Sequence, residues 1–409
     1  MPGFDAVIVA DSPHARAVVL GLTLVERACR VAAKVGARNV AVANEGVKPR
    51  GAGLLVIRAS DQVVHMPLVE PLLGGDGAVR IAVGPDGEYA GALWLSGAAA
   101  DRAIEMLAAG ATDRDLVAAF PDAERIEHGP IARHAATTPA ERKGAAQMLL
   151  GLLNKAEDGP VTKYIYRPVS RPLTRLLVGT PVTPNQVSLV VLALGVLGCW
   201  FTLRPDQSSL IIGAALVLLG GFIDGTDGEL ARLRLQGSKL GAWLDTVVDE
   251  LTTVLYFLAS GYHTYLHYPE RWMVPSMVLG LICYVVAIYG IYYFLVVVSK
   301  TGNSQHYIGD LEVADSDAGP VLRPRQRPPS SAPAWLQQLG GAMKYIVRRD
   351  FINLGALALT FVNAYLFIYC TMLLGGVVTF LIVIPEHIRL RSQLREVARR
   401  GATPRLLVP

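Results

Sequence analysis

The stretch from Asp224 to Asp249 reads DGTDGELARLRLQGSKLGAWLDTVVD, and it lies between two long apolar runs of the chain. Asp224 and Asp227 are three residues apart at the end of the first run, and Asp245 and Asp249 are four residues apart at the start of the second. On a helix, residues at these spacings lie on one face, so each run is predicted to present a pair of carboxylates. Unpaired charged groups at a bilayer raise the free energy of the protein, so such groups are usually paired or take part in function. We therefore interpret the four aspartates as a functional site.

The composition of the whole chain indicates a membrane protein with a soluble part. Of its 409 residues, 52% are hydrophobic and 18% are charged, whereas about a quarter are charged in an average protein. This excludes a disordered chain, and 40 glycines without a period exclude a collagen-like one. Residues 1–150 carry a net charge of −2 and the remainder +6. The total of +4 is too small to indicate a nucleic-acid partner, and four distant cysteines predict neither a disulfide framework nor a zinc site.

Long uncharged runs begin near residue 187 and predict membrane-spanning helices. Four of them are Val187–Leu203, Leu210–Ile223, Leu251–His267 and Met273–Ser299. A fifth run, Phe351–Pro385, would be about 52 Å long as one helix, whereas the hydrocarbon core of a bilayer is about 30 Å thick. We therefore predict that this run forms two helices that turn near Tyr365–Met372. The expected total is six transmembrane helices.

The distribution of basic residues predicts the orientation of these helices. Lysines and arginines cluster before the first run, after the second, between the fourth and fifth, and after the last, whereas the opposite loops hold only Arg204 and Arg271. The positive-inside rule then places both termini and the aspartates on the cytoplasmic side of the cytoplasmic membrane. The N-terminus has no basic segment before a long apolar core, so no secretory signal peptide is expected. The loop Thr301–Gly341 is rich in Pro, Ser and acidic residues and is predicted to be mobile, and Ala342–Asp350 is interpreted as an interfacial basic helix or as flanking charge.

The first part of the chain alternates strand-like and helical patterns. Short apolar runs predict strands at Ala6–Ala10, Val40–Ala43 and Leu54–Ile57, and helical patterns cover Leu24–Val35 and Ala98–Ala109. This alternation is typical of an α/β domain with a mostly parallel sheet. The predicted fold is thus an N-terminal α/β domain followed by an all-α polytopic membrane domain. The expected boundaries are 1–136 for the α/β domain, 137–182 for a linker and juxtamembrane helix, and 183–400 for the membrane domain.

The residue types around the aspartates predict metal-dependent phosphoryl chemistry. A set of oxygen ligands without Cys or His suits a hard cation such as Mg²⁺ or Mn²⁺, and two carboxylate pairs are enough for two such ions. Two ions can clamp a phosphoryl group from both sides. Glycines that allow close backbone approach and an arginine suited to phosphate lie nearby, namely Gly225, Gly228, Gly241 and Arg232. A single aspartate of this kind is also compatible with a helix cap or a proton relay.

The complete pattern D-x2-D-G-x2-A-R-x8-G-x3-D-x3-D resembles the signature of the CDP-alcohol phosphotransferase family of integral membrane enzymes. The resemblance covers about Asp158 to Arg391 and includes six spans with both termini in the cytoplasm. It implies that Asp224, Asp227, Asp245 and Asp249 hold two divalent ions, Mg²⁺ or Mn²⁺, and that Asp249 is also the general base. It further implies CDP-alcohol contacts at Asn185, Ser188, Gly228, Ala231, Arg232, Ser238 and Gly241.

The same resemblance implies the reaction and the partners. A hydroxyl group activated by Asp249 attacks the β-phosphorus of a CDP-linked alcohol, CMP leaves, and a phosphodiester forms in phospholipid or inositol-phosphodiester biosynthesis. The donor is a lipid or an inositol carried on CDP. If the acceptor alcohol is itself phosphorylated, its phosphate would meet Arg348, Arg349 or the arginines near Arg323. A homodimer is expected by resemblance, and no cofactor other than the metal ions is expected.

The N-terminal domain carries a second resemblance. The segment Val19–Asn44 is similar to the early βαβ part of sugar-phosphate nucleotidyltransferases, in which a glycine-rich loop with an arginine cradles the nucleotide phosphates. Here the corresponding stretch is Ala10–Arg16, ADSPHAR, which has no glycine, and Pro13 removes a backbone donor. We therefore expect the domain to be inactive as a nucleotidyltransferase. His14 and Arg16 are interpreted as anion contacts or as plain surface residues.

The linker resembles the junction of two-domain enzymes that join an inositol-phosphate cytidylyltransferase to a di-inositol-phosphate-phosphate synthase. The resemblance lies in Thr137–Arg175 and includes EDGPVTKYIYRPVSRPLTRLL, in which Tyr166 stands where an asparagine usually precedes the linker arginine. Arg167 is interpreted either as that arginine or as a juxtamembrane helix anchor. A synthase that uses CDP-inositol is therefore an alternative to a phospholipid enzyme.

Two further classes of function remain open. A transporter or channel with an acidic cation site predicts acids spread over several spans at mid-membrane, whereas these four aspartates lie in one motif at the membrane interface. An inactive scaffold would use the soluble domain to recruit partners. The complete signature favours an enzyme over both.

Overall fold

The computed structural model describes residues 3–43, 53–154, 158–302, 307–316, 319–325, 348–399 and 405–406. Its internal contacts divide the chain into two units. The N-terminal unit consists of residues 1–157 together with two short segments, 174–182 and 229–236. The helical unit consists of residues 158–173, 183–228 and 237–409. The N-terminal unit thus includes a segment, 229–236, whose sequence position falls within the range 183–400 that was predicted for the membrane domain.

The core of the N-terminal unit is a six-stranded sheet. Its strand order is β4 (Val40–Val42), β1 (Asp5–Val9), β5 (Gly53–Arg58), β8 (Tyr89–Ser96), β7 (Val79–Val83) and β9 (Glu124–Glu127). β1 pairs in parallel with β4 and β5, and β7 pairs in parallel with β9, whereas β8 runs antiparallel to both β5 and β7. Every residue of β1 is buried, as expected for a strand that is covered on both faces.

The helices of this unit follow from local signals in the chain. They are α1 (Leu24–Lys34), α2 (Glu70–Leu73), α3 (Ala98–Ala108), α4 (Asp113–Ala119) and α5 (Pro139–Leu150). α1 begins after its N-cap Thr23, whose side chain accepts a hydrogen bond from the backbone N of Glu26 at 3.1 Å. Its residues Leu24, Ala28 and Val31 are buried at helical spacing. Two short antiparallel pairs complete the unit: β2 (Val18–Val19) with β3 (Leu22–Thr23), and β6 (Gln62–Val64) with β10 (Arg133–Ala135).

The predicted strands and helices of the N-terminal unit are confirmed to within one residue at each end, and the sheet is mostly parallel as predicted, because among its six described strands β8 alone runs against the others. The reason for the direction of β8 lies in the turn between β7 and β8, which spans only residues 84–88. A connection this short joins antiparallel strands, because a parallel pair needs a crossover of a dozen or more residues. Gly87 in this turn has a φ of 76°, a conformation that favours glycine.

The helices that follow are α6 (Arg167–Leu177), α7 (Pro184–Thr202), α8 (Gln207–Leu233), α9 (Lys239–His267), α10 (Met273–Tyr293), α11 (Arg349–Thr360) and α12 (Tyr365–Arg399). In the described part of the chain, four are long and apolar enough to cross a membrane: α7, α8, α10 with its extension to Ser299, and α12. α9 is 29 residues long but carries Asp245, Asp249 and Glu250. α11 has 12 residues and is about 18 Å long, shorter than a bilayer core of about 30 Å. Four apolar spans are therefore found, and the count of six stays a prediction.

The helix break in the last apolar run lies earlier than expected. α11 ends at Thr360 and α12 begins at Tyr365, so the break is at residues 361–364 and the predicted turn near Tyr365–Met372 is wrong. Asn363 has a φ of 55°, the left-handed conformation that commonly ends a helix. α12 then continues to Arg399 without interruption.

The loop Thr301–Gly341, which was expected to be mobile, contains a β-hairpin. β11 (Leu311–Ser316) pairs antiparallel with β12 (Gly319–Pro324), and β12 also pairs with β13 (Arg405–Leu406). Leu311 and Leu322 are buried in one cluster with Phe294, Leu295 and Leu390, so apolar packing orders this part of the loop. Residues 326–347, including most of the predicted basic helix at Ala342–Asp350, lie outside the described residues.

Candidate metal centre

Three of the four predicted aspartates meet in the helical unit. Asp224 near the end of α8 and Asp245 and Asp249 on α9 each offer one carboxylate oxygen, and these oxygens all lie within 4.8 Å of one another. Asp245 and Asp249 share a face because they are one helical turn apart, and the packing of α8 brings Asp224 to them. An all-carboxylate set of this size suits a hard divalent cation, so the residues present fit Mg²⁺ or Mn²⁺.

Asp227 lies outside this group of three and has partners of its own. It is 6% exposed. Its Oδ2 accepts a hydrogen bond from Ser188 Oγ of α7 at 2.5 Å, and its Oδ1 accepts one from the backbone N of Gly228 at 2.5 Å. Ser188, predicted as a CDP-alcohol contact, is therefore also the residue that orients Asp227.

Arg349 is the charged partner that the sequence motif does not contain. It is the first residue of α11, and its Nη2 donates to Asp224 Oδ2 at 2.8 Å while its Nη1 donates to Asp249 Oδ1. The sequence predicted Arg349 only as a flanking charge or as a contact for an acceptor phosphate. In the sequence, Arg349 is marked only as one of two adjacent arginines directly before an apolar run. This pattern does not predict which residues the arginine side chains contact.

Three predicted CDP-alcohol contacts lie together where α7 and α9 begin. Ser238 caps α9, and its Oγ accepts a hydrogen bond from the backbone N of Gly241 at 3.0 Å. A Cβ atom on Gly241 would lie 3.1 Å from Ser238 Oγ and 3.2 Å from Asn185 Oδ1, so only a glycine leaves both polar groups undisturbed. α7 is fixed at this point by a capping box between Thr183 and Gln186.

The remaining residues that were predicted to contact the CDP-alcohol belong to different units. Gly228 belongs to the helical unit with the aspartates, and a Cβ atom there would meet no atom within 4 Å, so its surroundings are open. Ala231 and Arg232 are grouped with the N-terminal unit, as part of segment 229–236.

The linker arginine is placed as a structural anchor. Arg167 is 6% exposed, and its Nε and Nη2 bind the two carboxylate oxygens of Asp158 at 2.8 and 2.9 Å. A Cβ atom on Gly225 would lie 3.3 Å from Arg167 Nη1, so this glycine leaves room for the guanidinium beside α8. Tyr166, which precedes it, stacks edge-on against Phe222 with ring centroids 4.7 Å apart. These contacts agree with the anchor interpretation of Arg167.

In the N-terminal unit, the stretch Ala10–Arg16 contains a single 3₁₀ turn at Pro13–Arg16, capped by Ser12. His14 and Arg16 are both exposed. The unit also has a cavity of about 640 Å³ that sequence reasoning missed; its lining includes Arg58, Asp61, Tyr89, Arg114 and Arg133. No local pattern marks this cavity, because its residues come from separate strands and helices.

Comparison with known proteins agrees with the motif. Residues 181–317 match the family model described as CDP-alcohol phosphatidyltransferase. The chain is 41% identical to a bifunctional IPC transferase and DIPP synthase of Rubrobacter xylanophilus over 29% of this chain and 26% of that protein. The corresponding protein of Thermococcus kodakarensis is 40% identical over 27% of this chain and 25% of its own length. An archaetidylinositol phosphate synthase of Pyrococcus horikoshii is 31% identical over 23% of this chain and 50% of its own.

The predicted resemblance is therefore confirmed for the region that contains the aspartates, which matches a family of enzymes. The matched part spans about a quarter of the length of the two bifunctional relatives.

Proposed function

We propose that this protein transfers a substituted phosphate group from a CDP-linked alcohol to the hydroxyl group of an acceptor, with release of CMP. The observation that carries the proposal is the meeting of Asp224, Asp245 and Asp249 from two helices, inside the region that matches the CDP-alcohol phosphatidyltransferase family. The complete aspartate signature and four apolar spans support the same reaction at a membrane.

In this proposal the four aspartates hold the divalent ions, and Asp249 also accepts the proton of the acceptor hydroxyl. Bound Mg²⁺ or Mn²⁺ supplies Lewis-acid stabilisation of the charge on the transferring phosphoryl group. Ser188 holds the carboxylate of Asp227 in one orientation through its 2.5 Å hydrogen bond. Asp249 would act from the third turn of a long helix, a rigid support that favours correct positioning.

The CDP part of the donor is proposed to bind where α7 and α9 begin. Asn185, Ser238 and Gly241 are adjacent there, and Gly228 leaves open space for a diphosphate. Arg232 would bind a diphosphate oxygen, since a guanidinium matches phosphate with two hydrogen bonds. Ser188 and Ala231 complete the proposed contacts.

The acceptor is proposed to be an inositol phosphate or a similar phosphorylated polyol. The names of the relatives include archaetidylinositol phosphate synthase, which supports an inositol-phosphate role without identifying the donor tail. Arg349 would bind the acceptor phosphate, because its guanidinium already lies against Asp224 and Asp249. A CDP-lipid donor makes the product a phospholipid, and CDP-inositol makes it a soluble phosphodiester.

The remaining assignments are also part of the proposal. The N-terminal unit is inferred to be inactive as a nucleotidyltransferase, so another enzyme supplies the CDP-alcohol. The protein is inferred to be a homodimer of the cytoplasmic membrane, with both termini and the site facing the cytoplasm, because the basic residues flank the spans on that side.

The test is release of CMP by membranes that contain the protein. With CDP-diacylglycerol or CDP-inositol as donor and inositol phosphate as acceptor, CMP should form only with Mg²⁺ or Mn²⁺ and should stop on chelation. Asp249→Asn should lower the rate by about 10²–10⁴-fold, the usual contribution of a general base. Asp206→Asn is the matched control, because Asp206 accepts a hydrogen bond from the backbone N of Ser209 at the start of α8 and is not part of the aspartate signature. If Asp249→Asn turns over like the parent, the general-base assignment is wrong.

A further inference from the structure

The N-terminal unit includes the end of α8, and two arginines of α1 bind it there. Arg27 is 1% exposed, and its Nη2 donates to the carbonyl oxygen of Leu233, the last residue of α8, at 2.8 Å. Arg30 lies three residues further along α1, and its Nη1 donates to the carbonyl oxygen of Arg234 at 2.7 Å. The last carbonyls of a helix have no partner within the helix, so these guanidinium groups satisfy the end of α8.

Arg234 connects this end to a second segment of the same unit. It is 5% exposed. Its guanidinium donates at 2.5–3.1 Å to the carbonyl oxygens of Leu177, Val178, Thr180 and Val182. A positive charge at the C-terminus of a helix is favourable, because the unpaired carbonyls there carry partial negative charge. Arg234 therefore joins the segment after α8 to the segment that leads from α6 into α7.

Two further contacts fasten these segments. Thr174 Oγ1 donates to Glu229 Oε2 at 2.5 Å, and both side chains are completely buried. Gly21, in the turn between β2 and β3, has a φ of 76°, and a Cβ atom there would lie 2.0 Å from the carbonyl oxygen of Val178. Only glycine allows this approach, so the turn and α1 both contact the segments.

Arg27 is a charged residue at a buried position that an apolar side chain could fill. Its Nε and Nη1 are buried without a hydrogen-bond partner in the described part of the chain. Burial lowers the pKa of Arg27 to about 10, so the side chain stays protonated at neutral pH. Burying a charge is costly, and an apolar side chain of similar volume would fill the space more cheaply. The hydrogen bond to the Leu233 carbonyl is what the guanidinium adds.

We propose that Arg27 is a positioning residue for the phosphotransferase site: it holds the loop between α8 and α9, so that the aspartates on these two helices keep their mutual register. The inference rests on the proposed function. Asp227 lies six residues before Leu233 on α8, and Asp245 lies six residues after Lys239, the first residue of α9. A domain without a nucleotide-binding loop thereby has a mechanical role in the enzyme.

The experiment uses the full-length protein and two measurements that do not require turnover. Hydrogen exchange of backbone amides 229–241 reports the loop, and the dissociation constant for Mn²⁺, measured by electron paramagnetic resonance, reports the aspartates. In Arg27→Met, exchange should be faster and Mn²⁺ should bind about 10-fold more weakly, as found when groups that orient metal ligands are lost. Arg102→Met is the matched control, because Arg102 is exposed on α3.

The outcomes separate this inference from the proposed function. If Arg27→Met changes neither exchange nor Mn²⁺ affinity, the positioning role is wrong. If this variant does not fold, Arg27→Gln decides, because its shorter side chain withdraws the donor from the Leu233 carbonyl while it stays polar. Weaker Mn²⁺ binding in Arg27→Gln supports the proposal, and Mn²⁺ binding like that of the parent overturns it. Shifts in both measurements in a protein that releases no CMP would leave the positioning role standing and overturn the proposed function alone.

Discussion

Both units contain charged side chains that are largely withdrawn from solvent, half-buried in the helical unit and fully buried in the N-terminal unit, and they face different partners. In the helical unit, Asp224 and Asp249 face the guanidinium of Arg349, so opposite full charges meet. In the N-terminal unit, Arg27 and Arg234 face backbone carbonyls, which carry only partial charge. A carboxylate can exchange one cation for another, whereas a carbonyl at a helix end keeps its place with the backbone. The first arrangement therefore suits binding and chemistry, and the second suits positioning.

The strongest way to break this comparison is to remove the cation from the carboxylates. Arg349→Met should lower kcat/KM for a phosphorylated acceptor by about 10–100-fold, since a hydrogen bond to a charged group is worth about 1.5–3 kcal/mol. The KM for the CDP-alcohol should change little. Steady-state kinetics with each substrate varied in turn makes the measurement.

The control for this variant is its neighbour in the chain. Arg348 is more exposed, and its Nε lies 3.7 Å from Asp350, so Arg348→Met should behave like the parent. If Arg349→Met changes only the metal concentration needed for half-maximal rate, Arg349 is a counter-charge and does not bind the acceptor.

A smaller effect is expected from the hydrogen bond that orients Asp227. Ser188→Ala removes the donor to Asp227 Oδ2, and because a typical hydrogen bond contributes about 1 kcal/mol, the rate should fall about 5-fold. Ser188→Thr keeps the hydroxyl group and should restore the rate. The comparison is made with CMP release at limiting Mg²⁺. A threonine variant as slow as the alanine variant would show that the hydroxyl group is not what matters at this position.

The smallest effect at neutral pH concerns His65 in the N-terminal unit, where burial and the charge of Arg27 lower the pKa of the imidazole from 6.5 to about 4. Between these values the unfolded chain binds more protons than the folded one, so stability is highest above pH 6.5 and falls as the pH drops. The expected slope is about 1.4 kcal/mol per pH unit. Hydrogen exchange of β5 and β6 against pH measures it, and His65→Asn should remove this component. If the slope of stability against pH is unchanged in His65→Asn, the pH dependence comes from other titratable groups.

Local pattern predicted the elements of the N-terminal unit well. β1, β4 and β5 are short apolar runs, and α1 and α3 show helical spacing of apolar residues, so each is encoded within its own few residues. The direction of β8 was not predicted, because it depends on which strand lies beside it. In the last apolar run the length implied two helices, but the position of the break depended on the conformation of Asn363.

For the site, sequence alone determined the aspartates, their pairing on α8 and α9, and the family to which this region is similar, since spacing along a helix decides which side chains share a face. The tertiary structure decided that Asp224 joins Asp245 and Asp249 while Asp227 turns to Ser188. It also decided the contacts of two residue groups that no motif contains: Arg349 on the carboxylates, and Arg27 with Arg234 on the helix ends. The partners of Arg27 and Arg349 lie 100 to 206 residues away in the chain, and such contacts follow from how helices pack rather than from any local pattern.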